Sequence, residues 1–134
     1  MRYLLDTDTC IEILRSNRRV RDRLQSENPD DWLISVVSVF EPFAGVERCR
    51  RPKEERRKVE AFLAPLHLLP FDLDAALRAS KIRWHLEKSG KPIGPFDLLL
   101  AAQALSLDIA LVTGNCGEFA RVPDLRLENW TADP

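Results

Sequence analysis

Cysteine is scarce in this chain: Cys10, Cys49 and Cys116 are odd in number and far apart. With no C-x-x-C pair and no cysteine–histidine cluster, the sequence argues against a zinc site and against a disulfide-stapled scaffold. The thiols read as core or surface groups in a reducing compartment. No excess of charge exists either, because 20 basic residues stand against 21 acidic ones for a net charge of −1. Overall charge therefore attracts no polyanion, and any nucleic-acid binding must come from local clustering. Long apolar runs are missing too: none approaches the roughly 20 residues needed to span a bilayer. The opening segment, Met1 to Asp6, meets an acid straight after two leucines, which argues against a signal peptide and for a cytoplasmic location.

What remains is ordinary globular composition, 45% hydrophobic and 31% charged over 134 residues. That length suits one compact domain, residues 1–134, built around a sheet. Arg2–Asp6 reads as a buried strand ending at an acid, followed by a helix opening near Thr9 and a second helix over Val20–Ser26. Trp32–Val37 is a β-rich run, and the pattern turns helical from Ser38. A charged helix is expected over Lys53–Leu63, a third strand at Leu66–Leu69, and a helix over Leu73–Ser89 with Leu73, Ala76, Leu77 and Trp84 on one face. Lys91–Pro95 forms a loop that delivers Asp97 to an apolar helix, Leu98–Leu107. Ile109–Thr113 and Leu125–Trp130 complete the strands. Strands alternating with helices imply βαβ units, a parallel sheet and an α/β fold.

In such sheets, ligands bind at the carboxyl ends of the strands, and the acids can be tested against that edge. Asp6 ends the first strand with Asp8 two residues on; either could simply cap the next helix, but two acids are more than capping requires. Glu41 closes Ser38-Val39-Phe40-Glu41, which matches the S-x-x-E capping box. Pro42 then falls early in that helix, unless the helix begins near Glu41 with proline in its favoured first position. Asp97, in Gly94-Pro95-Phe96-Asp97, sits where a helix N-terminus favours an anion. Asn115 and Glu118 follow the Ala110–Thr113 strand, where Glu118 could equally cap a short helix. Each position alone has a bland reading.

Together they fall on one edge from separate segments of chain. Convergent carboxylates raise one another's pKa unless a cation neutralises them. Oxygen donors without cysteine or clustered histidine select Mg²⁺ or Mn²⁺, and such an ion activates water and clamps a phosphodiester oxygen. His67 and His85 lie away from these acids in sequence, so a metal ion, not imidazole, is expected to activate the nucleophile.

Several segments carry a more specific likeness. Tyr3-Leu4-Leu5-Asp6-Thr7-Asp8-Thr9-Cys10-Ile11 resembles the opening of the PIN-domain VapC toxins, although those usually have Asn at the position of Asp8. Ile34-Ser35 through Glu41, with Gly45-Val46-Glu47, is similar to the family's second motif, and Gly94–Ala102 resembles its third. Leu111-Val112-Thr113-Gly114-Asn115, then Glu118–Val122 and Leu125–Trp130, resembles the fourth. The likeness runs in order through essentially the whole chain. It implies a Rossmann-like three-layer α/β/α sandwich and an Mg²⁺- or Mn²⁺-dependent endoribonuclease, the toxin of a toxin–antitoxin pair. It also implies inhibition by a VapB-type antitoxin and assembly as a homodimer. Asp6, Glu41 and Asp97 become the expected catalytic acids and metal ligands, joined at the metal by Asn115 or Glu118. Two departures stand out: Pro42 replaces a usual leucine, and the fourth motif offers Asn115 in place of an acid.

The basic residues fall in two stretches. Arg48 to Lys58 is interleaved with glutamates and reads as a solvated face laced with i,i+4 ion pairs. The other, with Arg15, Arg18 and Arg19, has fewer acids and lies close in sequence to Asp6. It is the better candidate for RNA phosphates, with the substrate a folded RNA such as tRNA or rRNA read by shape and exposed loops. Two alternatives compete. Asp6-Thr7-Asp8 is similar to the D-x-D-x-T opening of haloacid-dehalogenase-type phosphatases, but Cys10 stands where threonine is needed. A non-catalytic PIN-like binding module is the other, motivated by Asn115 and Pro42.

Overall fold

The computed structural model describes residues 2–14, 18–26, 28–64 and 66–130. Arg15 lies outside the described residues, as do the side chains of Ile13 and Leu14. The strands are β1 (Tyr3–Leu5), β2 (Trp32–Ser35), β3 (His67–Leu69), β4 (Ala110–Val112) and β5 (Leu127–Glu128). They form one sheet in the order β3-β2-β1-β4-β5, and every pairing is parallel. The helices are α1 (Thr7–Leu14), α2 (Arg18–Gln25), α3 (Val36–Arg48), α4 (Pro52–Leu63), α5 (Leu73–Lys88), α6 (Pro95–Leu107) and α7 (Cys116–Phe119).

Side chains alternate along a strand, so β1 feeds two cores. Leu4 joins Leu33 and Leu111 beneath α5 and α6, with Ile82, Leu86, Leu98 and Phe119. Tyr3 and Leu5 join Ile34, Ala110, Val112, Cys10 and Trp130 on the other face. A parallel sheet buried on both faces is the three-layer sandwich that βαβ connections enforce.

The second strand is shorter than its composition suggests. Val36 and Val37 are helical, and Ser35, not Ser38, starts the helix by accepting the Val37 N–H at 3.0 Å. Both capping readings at Glu41 are therefore overturned: Ser38 and Glu41 lie within the helix, and so does Pro42. Without an N–H, Pro42 leaves the Ser38 carbonyl lacking its helical donor. On α5 the packed stripe is Ala75, Ala79, Ile82 and Leu86, whereas Leu73, Leu77 and Trp84 are exposed. Alanines bring α5 close to α6, and the larger residues are turned outward. Gly90, at φ +70°, ends α5: its N–H bonds the Glu87 carbonyl at 3.1 Å while Lys91 N–H reaches Leu86 at 3.0 Å. This left-handed turn, which favours glycine, sends residues 91–94 back to the sheet edge.

Candidate active site

The strand order reverses at β1. Successive strands run outward from it to β3 on one side, while β4 takes the other flank. Ligands in open α/β sheets sit at such a switch point. Leu5 pairs with Ile34 and with Val112, so the next residues, Asp6, Ser35 and Thr113, form one row across the carboxyl edge.

Asp6 is only 3% exposed. Its backbone N–H continues the ladder to Val112 at 3.0 Å, and its carboxylate accepts the Thr9 N–H at 2.8 Å. It thus does what the capping reading foresaw, at the start of α1, while occupying the switch point. Burial raises its pKa; hydrogen bonds from the Thr113 hydroxyl and from Thr9 act against that rise, and the Asp8 charge adds to it. Thr9 also donates its hydroxyl to the Val112 carbonyl at 3.2 Å, which binds α1 to β4.

Asp97 stands at the third position of α6, after Gly94 and Pro95. Its pKa is pushed up to about 6 by burial, then by the charges of Glu118, Asp6 and Asp8. The structure thus brings Asp6, Asp8 and Glu118 within electrostatic reach of Asp97. Asp8, the position where the family usually has Asn, is an exposed member of this group.

Glu118 has a different environment. One carboxylate oxygen accepts the Gly94 N–H at 2.8 Å, and the other accepts the Asn115 side-chain amide at 2.7 Å. The Gly94 bond, followed by those from Asn115 and Asp97, holds its pKa below the usual carboxylate value. Glu118 does not bond the N–H at the head of its own helix, since Asn115 N–H goes to the Thr113 hydroxyl at 2.9 Å. The expectation that it caps the short helix is corrected: it caps α6. The role of the Gly94 N–H is invisible in sequence, because the two residues are 24 positions apart.

Glu41 is exposed on α3. Its neighbour Phe40 meets Phe96 with ring centroids 5.8 Å apart, which lays that part of α3 beside the start of α6. Among the described residues, no group of three or more His, Cys, Asp or Glu side chains closes into a metal-holding cluster. The donor set still suits magnesium, which needs one or two carboxylates and keeps several waters. Asp97, raised by burial and then by neighbouring negative charge, is a group a cation would return to its ionised form.

Arg18 and Arg19 are exposed at the start of α2. Arg23 is engaged: it bonds Glu128 at 3.1 Å and lies 5.6 Å from the centre of a Trp130 ring. On α4 the interleaved charges pair, Arg56 with Glu60 at the expected i,i+4 spacing and 3.6 Å, and Lys58 with Glu55 at i,i+3 and 3.2 Å.

Comparison with known proteins agrees with this geometry. The PIN domain family matches residues 3–125. The chain is 34% identical to the tRNA(fMet)-specific endonuclease VapC of Salmonella typhimurium, across 97% of this chain and 98% of that protein. It is likewise 34% identical to ribonuclease VapC2 of Haemophilus influenzae, across 97% and 98%. Among solved structures, DNA-bound VapBC from Salmonella typhimurium superposes with a TM-score of 0.92 at 34% identity, covering 97% of this chain and 98% of that one. VapBC2 from Rickettsia felis, bound to a promoter DNA fragment, gives 0.90 at 30% identity, covering 97% and 99%. With an all-parallel sheet and acids gathered at its switch point, the chain belongs to the PIN-domain family and, within it, to the VapC ribonucleases.

Proposed function

We propose that this protein is a divalent-metal-dependent endoribonuclease, the toxin of a toxin–antitoxin pair, and that its substrate is a folded RNA of the tRNA class. The observation that carries the reading is the approach of Asp97 to Asp6 at the switch point, with the pKa of Asp97 raised to about 6 by burial and by neighbouring carboxylates. Family membership leaves the phosphatase alternative without support. The names of the Salmonella relative and of the VapBC complexes support the RNA class and a VapB-type antitoxin.

Asp6 and Asp97 would hold Mg²⁺ or Mn²⁺, with Glu41 as a further oxygen donor. When bound, the ion would neutralise the acids and supply Lewis-acid activation of water and of the scissile phosphate. Thr9 and Thr113 fix the Asp6 carboxylate by hydrogen bonds, so little reorganisation is left for the reaction. Arg18 and Arg19, together with Arg15, would bind flanking phosphates. The exposed Phe40, Phe96, Leu77 and Trp84 offer apolar area for the antitoxin and for a second copy of the chain. The protein is expected to work in the cytoplasm, where its RNA is.

The test is direct. Purified toxin is incubated with initiator tRNA and an elongator tRNA, in Mg²⁺, in Mn²⁺ and in EDTA. Cleavage is expected with either ion and none with EDTA. Intact RNA under every metal condition would favour the non-catalytic binding module.

A further inference from the structure

We propose that Glu118 is a positioning residue: it caps helix α6 from across the site and, braced by Asn115, fixes the backbone that carries Asp97, instead of ligating the cation.

Helix α6 starts with an unmet need. Helix N-termini leave backbone N–H groups without partners, and a capping box meets one of them when the third helical residue reaches back to the N–H of the cap. In α6 the cap is Gly94, which has no side chain to offer, and the third residue is Asp97. Had Asp97 folded back onto the Gly94 N–H, its carboxylate would be committed to capping. Glu118 takes that N–H instead, at 2.8 Å. Its second oxygen is occupied by the Asn115 amide at 2.7 Å. Both oxygens of the Glu118 carboxylate thus have donors from protein, and the Gly94 N–H is met without Asp97, whose carboxyl hydrogen-bonds Glu118 in turn.

Asn115 is itself anchored through its backbone N–H to the Thr113 hydroxyl, and Thr113 hydrogen-bonds Asp6. A chain of hydrogen bonds therefore runs from Asp6 through Thr113, Asn115 and Glu118 to Gly94 and the helix bearing Asp97. It sets the spacing between the two aspartates. The departure of Asn115 from an acid then has a reason: the brace needs a donor at that position, and a carboxylate there would face another at hydrogen-bond distance.

The experiment uses the complete chain and the variants Glu118→Gln, Glu118→Ala, Asn115→Asp and Asn115→Asp/Glu118→Gln. It reads the hydrogen-exchange rate of the Gly94 amide without metal, Mn²⁺ affinity by calorimetry, and RNA cleavage. Glu118→Ala is expected to speed Gly94 exchange by roughly tenfold, the loss of about one hydrogen bond. Glu118→Gln keeps one oxygen for Gly94, and Asn115 can turn its amide over to accept from the new NH₂. Protection should persist, with Mn²⁺ affinity within about threefold of wild type. Asn115→Asp sets two carboxylates against each other and should lose protection and cleavage together. The double variant restores a donor opposite an acceptor and should recover both.

Unchanged Gly94 exchange in Glu118→Ala overturns the proposal. So does Glu118→Gln with Gly94 protected but Mn²⁺ binding lost, which would make Glu118 a ligand, or a double variant no better than Asn115→Asp alone. The cleavage readout rests on the nuclease reading, but the exchange readout does not. If the wild type cuts no RNA, exchange and metal affinity still decide the role of Glu118.

Discussion

Asp6 and Asp97 lie within electrostatic reach of each other at the same sheet edge, yet they are held in different ways. Burial raises the pKa of both. Around Asp6 the protein answers with donors, the Thr9 N–H and the Thr113 hydroxyl. Around Asp97 it adds more negative charge, from Glu118, Asp6 and Asp8. The first carboxylate is organised by the fold before any ligand arrives. The second is left under electrostatic strain that a cation or a proton relieves. A site built from one of each couples a fixed geometry to a responsive charge.

The sharpest way to break this comparison is Asp97→Asn. It should lower RNA cleavage by roughly 10²–10⁴-fold, the range for a positioned acid or base, while the metal-free protein stays folded by circular dichroism. Near-normal cleavage would remove Asp97 from the site. Asp6→Ala should also abolish cleavage but should, unlike Asp97→Asn, destabilise the fold. It removes the cap of α1, worth about 1 kcal/mol in denaturant melts. It should also erase the rise in melting temperature expected for the wild type in Mg²⁺. Equal shifts in both proteins would place the ion elsewhere.

A subtler change, Thr113→Val, takes away the donor to Asp6 and the acceptor of the Asn115 N–H while keeping the shape. Its expected cost is about 1 kcal/mol. The pKa of Asp6 should rise, so that half-maximal Mn²⁺ binding moves to higher pH in calorimetry. The smallest effect is the stability of the metal-free wild type against pH. Because the folded pKa of Asp97 lies at about 6, above the ordinary carboxylate value, the folded state binds the extra proton. The resulting stability is complete below about pH 4 and is lost as pH rises through 6. Asp6, also raised, acts in the same direction. Glu118, lowered, acts oppositely, and its contribution is lost in more acidic solution. Melting temperature should therefore fall between pH 4.5 and 6.5, and Asp97→Asn should flatten that fall. A wild-type profile that is already flat would contradict the crowded environment of Asp97.

Much of this site can be read from sequence because its signals are local. Asp6 follows an apolar run directly, and Asp97 follows Gly-Pro-Phe at the head of an apolar helix. The failures come where distant residues decide. Val36 and Val37 favour a strand by propensity, but Ser35 captures the Val37 N–H and turns the chain into a helix, so the match of Ser38 and Glu41 to a capping box has no counterpart in the fold. The Leu73, Leu77 and Trp84 face of α5 is apolar by spacing, yet the close approach of α6 selects alanines for the packed side. Glu118 reads as a cap for its own helix, and only the return of the chain at Gly90 shows that it serves another.

The central place of β1 has a consequence for the order in which the toxin is made. Residues near the start of the chain leave the ribosome first, but Asp6 is complete only when β4 lies beside β1. The Thr9 hydroxyl and the Val112 carbonyl that it meets are 103 positions apart. Closing so long a loop is entropically costly and slow. Until the segment through Glu118 has emerged, Asp6 lacks Thr113 and Asp97 lacks its brace. A nascent or truncated chain ending before β4 would therefore carry Asp6 and Asp97 without the hydrogen bonds that join them, and the site is complete only once β4 and the segment through Glu118 have been made.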